Sequence, residues 1–417
     1  MNMLKRIEKL TPAEEAILAA VPDGASGERG RAATLLRERG LPGRKVEAWH
    51  YTDLRVRLKT FAGLAAAADA ALARQWLARD RGVVAAACLP FVNGRFAADL
   101  ADALPAGVAM TRRTGQGAFR DATDAVALLN TLICAEGVDL AVDAGAAVAR
   151  PIEILAVSLG DGAAATRHRV TVGAGARATL IERAAGGDGL AAQSNTVTDL
   201  AVGADADLTW VIVQAEGDGA THLAQLNVML GAGARLRLLV VNAGGVLVRR
   251  EINVAIAGPG SELTIRGVNL VGAGAHVDVT SVLLHDAPGA VSTEIFRNVA
   301  TGHGTGAFQG QIRVAPAAQK TDARMACNTL LLSDTAEFSA KPELEIFADD
   351  VQCGHGATVA DIDDDHLFYL MTRGIPEREG RAMLIRAFVE EAFDTVEDEA
   401  LRDGLNARIE NWLERHG

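Results

Sequence analysis

The densest reactive stretch of the chain is Asp349-Asp350-Val351-Gln352-Cys353-Gly354-His355-Gly356-Ala357-Thr358. Cys353 and His355 stand two residues apart, so in an extended segment their side chains point to one face. A thiolate and an imidazole placed this way suit a soft or borderline metal such as iron, zinc or copper. Two donors do not close a site, so further ligands have to come from elsewhere in the chain or from a second subunit. Gly354 and Gly356 leave room for a metal or a protein surface to come close. Asp349 and Asp350 either support the ligands or face solvent. Two other readings stand beside this one: an ordinary Cys and His at a strand end, and a Cys–His nucleophile pair, for which the neighbouring sequence offers no acid to orient His355.

Other reactive side chains are scattered. His303 sits in Thr301-Gly302-His303-Gly304 and adds a ligand only if the fold carries it to the pair; a turn histidine is the plainer reading. Lys320 and Lys341 either anchor carboxylates or cover apolar surface with their stems. Cys88, Cys134 and Cys327 read as structural thiols. No two of the four cysteines have metal-motif spacing, so a self-contained four-cysteine cluster would need cysteines from distant parts of the chain. There is no GxxxxGK phosphate loop, no GxGxxG placed before a helix, no GxSxG and no HExxH. Glu343, Glu345, Asp349 and Asp350 are the acids that a carbohydrate-active enzyme on a β-helix would draw on.

What has to position these groups is read from composition and period. The 417 residues are 49% apolar but only 4% aromatic, with 43 glycines, which calls for a core of small and aliphatic side chains. From about residue 140 to 362, short alternating runs are broken by small turns. Gly173-Ala174-Gly175-Ala176, Gly203-Ala204-Asp205-Ala206, Gly231-Ala232-Gly233-Ala234 and Gly272-Ala273-Gly274-Ala275 begin 30, 28 and 41 residues apart, with a related Gly258-Pro259-Gly260 inside the last gap. Strands this short bury an apolar face only by stacking, so the repeat predicts a parallel β-helix or related β-solenoid. An antiparallel sandwich or barrel with glycine-rich hairpins is the alternative.

Helical patterns flank this core. Residues 1–85 read as an N-terminal helical region: a charged helical start over residues 1–10, a capped helix start at Thr11-Pro12-Ala13-Glu14, a helix ended by Gly40 and Pro42, and an alanine-rich helix over residues 65–78. The mixed charged and aromatic segment of residues 41–58 reads as an anchored loop or short helix. Residues 86–139 form a connecting segment. Residues 363–417 read as a C-terminal helical domain, with apolar stripes at Leu384, Ile385, Phe388, Val389 and at Leu401, Leu405, Ile409, Trp412.

The net charge of -12 weighs against a nucleic-acid binder. The absence of an 18-residue apolar run predicts no membrane span, and few cysteines with no export signal predict a cytoplasmic protein.

Three segments carry a family resemblance: Leu41-Pro42-Gly43-Arg44-Lys45-Val46-Glu47-Ala48-Trp49-His50-Tyr51-Thr52-Asp53-Leu54; the long stretch from Asn328 through Lys341-Pro342-Glu343-Leu344-Glu345-Ile346 to Thr358; and Leu367-Phe368-Tyr369-Leu370-Met371-Thr372-Arg373-Gly374-Ile375-Pro376. The chain resembles the SufB/SufD family of iron–sulfur cluster assembly proteins, and its shortness and few cysteines bring it nearer to the SufD branch than to SufB. The resemblance implies a mainly β protein, a right-handed parallel β-helix between N- and C-terminal helical regions. It also implies pairing with SufB through the β-helix core, docking of the ATPase SufC through the C-terminal helices, and no catalysis or nucleotide binding by this chain itself. By position, the family's metal-associated Cys and His match Cys353 and His355, which would give a thiolate and an imidazole to iron or a nascent iron–sulfur cluster shared with SufB. The same β-helical interface would let an isolated chain pair with itself.

Overall fold

The computed structural model describes residues 7–80, 82–114, 117–394 and 396–416. The first six residues of the helical start expected over residues 1–10 lie outside the described residues, and residues 7–10 are not helical. The N-terminal region holds α1 (Pro12–Ala19), α2 (Gly27–Arg39), α3 (Leu54–Arg57) and α4 (Ala70–Arg79). The α1 start is the capping box read from sequence: Thr11 accepts from the Glu14 amide, and the Glu14 carboxylate accepts from the Thr11 amide at 2.7 Å. The alanine-rich helix begins only at Ala70, where Asp69 caps it.

Residues 86–139, expected as a connecting segment, contribute β1 (Ala87–Val92), β2 (Arg95–Phe96), β3 (Val108–Thr114) and α5 (Ala125–Ile133). Strands then follow one another: β4 (Glu136–Val142), β5 (Ile152–Ser158), β6 (Gly162–Val172), β7 (Arg177–Gly186), β8 (Ala192–Val202), β9 (Asp207–Ala215), β10 (Thr221–Leu230), β11 (Arg235–Ala243), β12 (Leu247–Ile256), β13 (Glu262–Val271), β14 (His276–His285), β15 (Val291–Ala300), β16 (Thr305–Val314), β17 (Asp322–Leu331), β18 (Glu337–Ile346) and β19 (Gln352–Ala360). The C-terminal helices are α6 (Asp364–Thr372), α7 (Glu377–Glu390) and α8 (Glu399–His416).

Odd-numbered strands from β5 to β19, with β1 and β2, form sheet I; even-numbered strands from β4 to β18, with β3, form sheet II. From β4 onward each strand pairs in parallel with the strand two later, so two strands make one coil of a right-handed parallel β-solenoid. The antiparallel sandwich alternative does not hold. Arg177, Asp207, Arg235, Glu262, Val291, Asp322 and Gln352 stack one above another, so a coil takes 27 to 31 residues. Antiparallel β2 and β3 close the N-terminal end.

The turn motif has a mechanical cause. A Cβ on Gly258 would lie 2.0 Å from the Ala232 amide nitrogen, in the turn one coil earlier, and the first glycines of the preceding turns meet the same obstacle. The third turn residue is left-handed, as at Gly233 with φ +60°, and Asp205 holds this position with φ +56°. The fourth member of the repeat is therefore Gly258 and not Gly272. Gly272 follows β13 and belongs to the row of turns on the opposite edge of the coils, which is why its spacing was irregular.

Inward side chains such as Leu208, Trp210, Ile212, Leu236, Leu238 and Val240 of sheet I meet Leu226, Val228, Ile252 and Val254 of sheet II in one continuous core. The outer faces are covered by helices. Ile17, Leu36, Trp49 and Leu128 pack on Val197, Leu223 and Leu247 of sheet II. Ile385, Val389, Leu405, Ile409 and Trp412 pack on Ile181, Val211, Leu239 and Val268 of sheet I. The apolar stripes of α7 and α8 read from sequence are the ones that do this.

Gly258→Ala is expected to cost about 1–3 kcal/mol by overpacking and to lower the melting temperature. Asp205→Gly, which only relaxes a left-handed backbone, is expected to leave it unchanged or higher. Thermal unfolding by circular dichroism checks both; equal losses would remove the stacking explanation for the first glycine.

Candidate metal centre at the open end of the solenoid

The last coil has no following coil. Among the described residues, β18 pairs only with β16 and β19 only with β17, so each presents one unpaired edge. Most of β19 is exposed. Cys353 and His355 lie on this strand, in register with Ala323 and Met325 of β17. Ala323 and Met325 are buried in the solenoid core, and parallel in-register residues share a face, so Cys353 and His355 both face the interior at its open mouth. The sequence expectation that they share one face is met.

The two positions differ in surroundings. Cys353 is half-buried and packs against the core, as do Phe338, Ala340 and Leu344 of β18. Burial pushes its thiol above the ordinary range; a backbone hydrogen bond at Ala323 opposes this and the Asp322 charge adds to it. The free thiol is thus protonated at neutral pH, and a metal that binds it has to displace the proton. His355 is exposed, and among the described residues no hydrogen bond or ion pair joins it to an acid, so the nucleophile-pair reading lacks the acid that would orient its base. Nothing lies within 4 Å of a Cβ built on Gly354 or Gly356, so the strand is open to an approaching surface. Among the described residues no group of three or more His, Cys, Asp or Glu is placed to hold a metal ion. Among the described residues, Cys353 and His355 share a face as two candidate ligands, and no third joins them.

The remaining candidates stand apart. His303 lies in the exposed turn after β15, while the β15 residue in the column of Cys353 is Ser292. Eight residues of strand separate them, roughly 25 Å. Lys320 pairs with Asp350, and Lys341 with Glu47 and Glu343, so both anchor carboxylates. Glu345 pairs with Arg313 at 3.7 Å. Three of the four acids considered for carbohydrate chemistry are thus held in ion pairs. Cys134 and Cys327 are buried, with thiols pushed up by burial to about 11 and about 12; Cys88 is half-buried and shifted the same way.

The early segment is an anchored loop whose contacts sequence could not show. Trp49 is fully buried, donates its indole N–H to the Thr123 carbonyl at 2.8 Å and stacks under the Arg249 guanidinium at 4.4 Å. Thr52 bonds to Asp278 and, at 2.8 Å, to His276 Nε2. Glu47 reaches Lys341 on β18, so this loop also braces an edge strand of the mouth.

Comparison with known proteins agrees with this geometry. A family model described as the SufBD core domain of SUF-system FeS cluster assembly matches residues 156–388. The iron–sulfur cluster assembly protein SufD of Escherichia coli K12 is 31% identical over 382 residues, covering 89% of each chain. An iron–sulfur cluster assembly SufBD family protein of Synechocystis is 26% identical over 412 residues, covering 92% of this chain and 90% of its own. The chloroplastic protein ABCI7 of Arabidopsis thaliana is 30% identical over 221 residues, covering 53% of this chain and 46% of its own. A β-solenoid with an open last coil, matched over more than half its length by the core-domain model, thus belongs to the SufB/SufD family of the SUF iron–sulfur cluster assembly system, with its similarity directed to SufD.

Proposed function

We propose that the chain is a non-ATPase scaffold subunit of a SufB–SufC–SufD type complex, pairing with a SufB-type chain through the open end of its β-helix and giving Cys353 and His355 to iron or a nascent cluster shared across that interface. The observation that carries this is the unfinished mouth: two unpaired strand edges, and two inward-facing candidate ligands that no third joins among the described residues. An unpaired, exposed edge is a template for strand addition. A partner seated there would complete both the sheets and the ligand set. In its absence, the same edges would suit a second copy of this chain. The iron or cluster is cargo, and its binding would release the Cys353 proton.

The C-terminal helices support a second docking surface. Phe368 and Tyr369 of α6 are 67% and 56% exposed, and Met371 and Met383 are also exposed, whereas the α8 stripe is buried. Large apolar side chains grouped on short exposed helices suit a protein partner. In this reading the partner is the SufC-type ATPase, and this chain itself binds no nucleotide. Among the described residues no helix is long and apolar enough to cross a membrane, and a cytoplasmic setting fits four unbridged thiols. A purely structural role is favoured by one observation, the lack of a third candidate ligand among the described residues.

Replacing Cys353→Ala together with His355→Ala is expected to leave complex assembly intact. Anaerobic iron content and cluster formation should fall by roughly tenfold or more, since even outer supports of metal ligands cost that much. Unchanged iron and clusters would leave the structural role alone standing. Phe368→Ala with Tyr369→Ala should weaken ATPase binding by roughly tenfold or more without lowering the melting temperature. Calorimetric titration showing full-strength binding would move that docking surface elsewhere.

A further inference from the structure

Behind the mouth, the register stacks Ser292, Ala323 and Cys353 in one column and Glu294, Met325 and His355 in the next. Each strand step is about 4.8 Å, which sets Glu294 roughly 10 Å behind His355. Glu294 is fully buried in the solenoid interior. Ser281 donates to its Oε2 at 3.0 Å from the opposite sheet, and Oε1 has no partner. Three other buried acids are matched with cations: Glu153 with Arg183 at 2.6 Å, Glu251 with Arg249 at 3.2 Å, and Asp278 with Arg249 at 2.5 Å. No cation is matched to Glu294 among the described residues. An ionised carboxylate left this way is costly, so the group needs an explanation.

We propose that Glu294 sets the affinity of the mouth for cations: it is a carboxyl kept without a cation of its own, which ionises when Cys353 and His355 hold one. This rests on the ligand reading of that pair. Burial pushes the carboxyl up to about 7, against the pull of the Ser281 hydrogen bond. The titratable groups sharing this part of the interior are His285 of β14 and Cys327 of β17. Burial pushes His285 down to about 4, and it bonds Ser292 at 2.9 Å; burial pushes Cys327 up to about 12, so both are uncharged near neutrality. Neither neutralises Glu294. A cation at the mouth favours the carboxylate, whose proton leaves to solvent, and by linkage the carboxylate strengthens cation binding by the same factor. For unit charges about 10 Å apart at an effective dielectric of about 20, that factor is about tenfold. The sign follows from a raised carboxyl: the gain is absent while Glu294 stays protonated and grows as pH rises through about 7.

The test is anaerobic Co2+ titration of the complex formed with the SufB-type partner, following thiolate-to-cobalt absorption. The difference between wild type and the Cys353→Ala/His355→Ala variant defines the mouth signal. Glu294→Gln is expected to weaken that signal's affinity about tenfold at pH 8 and hardly at all at pH 5.5. Ser281→Ala, which keeps the acid but removes its donor, is expected to move the onset of the advantage over Glu294→Gln to higher pH, a change that a packing role would not produce. Equal affinities for wild type and Glu294→Gln at both pH values would overturn the role of Glu294 and leave the ligand pair standing. If wild type and the double variant gave the same absorption, the ligand reading would fall, and the inference with it.

Discussion

Each coil of this protein finds its backbone hydrogen-bond partners in the coils beside it, and that single constraint organises the rest. In-register stacking at about 4.8 Å leaves no space for a Cβ where one turn crosses the next, which is why glycine opens the turns. It stacks the inward side chains in columns along the axis, and it leaves outward apolar side chains that the helical layers cover. It also means that the stack has two ends. Antiparallel β2 and β3 close the first; β18 and β19 leave the second open.

Polar groups inside the coils obey the same geometry. Asn242 donates to Asn269 at 2.7 Å, Asn269 to Asn298 at 2.8 Å, and Asn298 to the Cys327 sulfur at 3.2 Å, one bond per coil. Arg250 joins the head of this ladder through Asn242 at 3.1 Å, and its burial pulls its guanidinium down to about 10. Such a ladder satisfies buried amides along the axis and penalises a slip of register, which would unpair several at once. Toward the mouth the ladder ends, and the inward columns finish in Ala323 and Cys353 and in Met325 and His355.

Much of this was legible in residues 173–234, because a turn that must avoid the preceding turn leaves the same small residues at nearly equal intervals. The repeat misled at Gly272, because a coil has two rows of turns and both favour glycine. The shared face of Cys353 and His355 followed from strand alternation alone. That the strand is the last in its sheet did not, since an edge is a property of what fails to follow. Residues 86–139 gave little sign of their strands, for β2 has two residues and β3 pairs with a single strand. Glu294 was invisible in sequence: a glutamate in an alternating run looks outward-facing until the register shows it pointing in. The aromatic segment around Trp49 read as an anchored loop, but its anchors, Arg249 and Asp278, lie some 200 residues away in the chain and only the fold joins them.

Amide hydrogen exchange resolved along the solenoid, with and without the SufB-type partner, tests the open end most directly. In the isolated monomeric chain, the amides of β18 and β19 should exchange fast and those of β11 to β13 slowly; adding the partner should protect β18 and β19 alone among the strands. If β18 and β19 were as slow as the central coils in the isolated chain, or were untouched by the partner, the unfinished coil would not be the docking edge and the shared site built on it would fail.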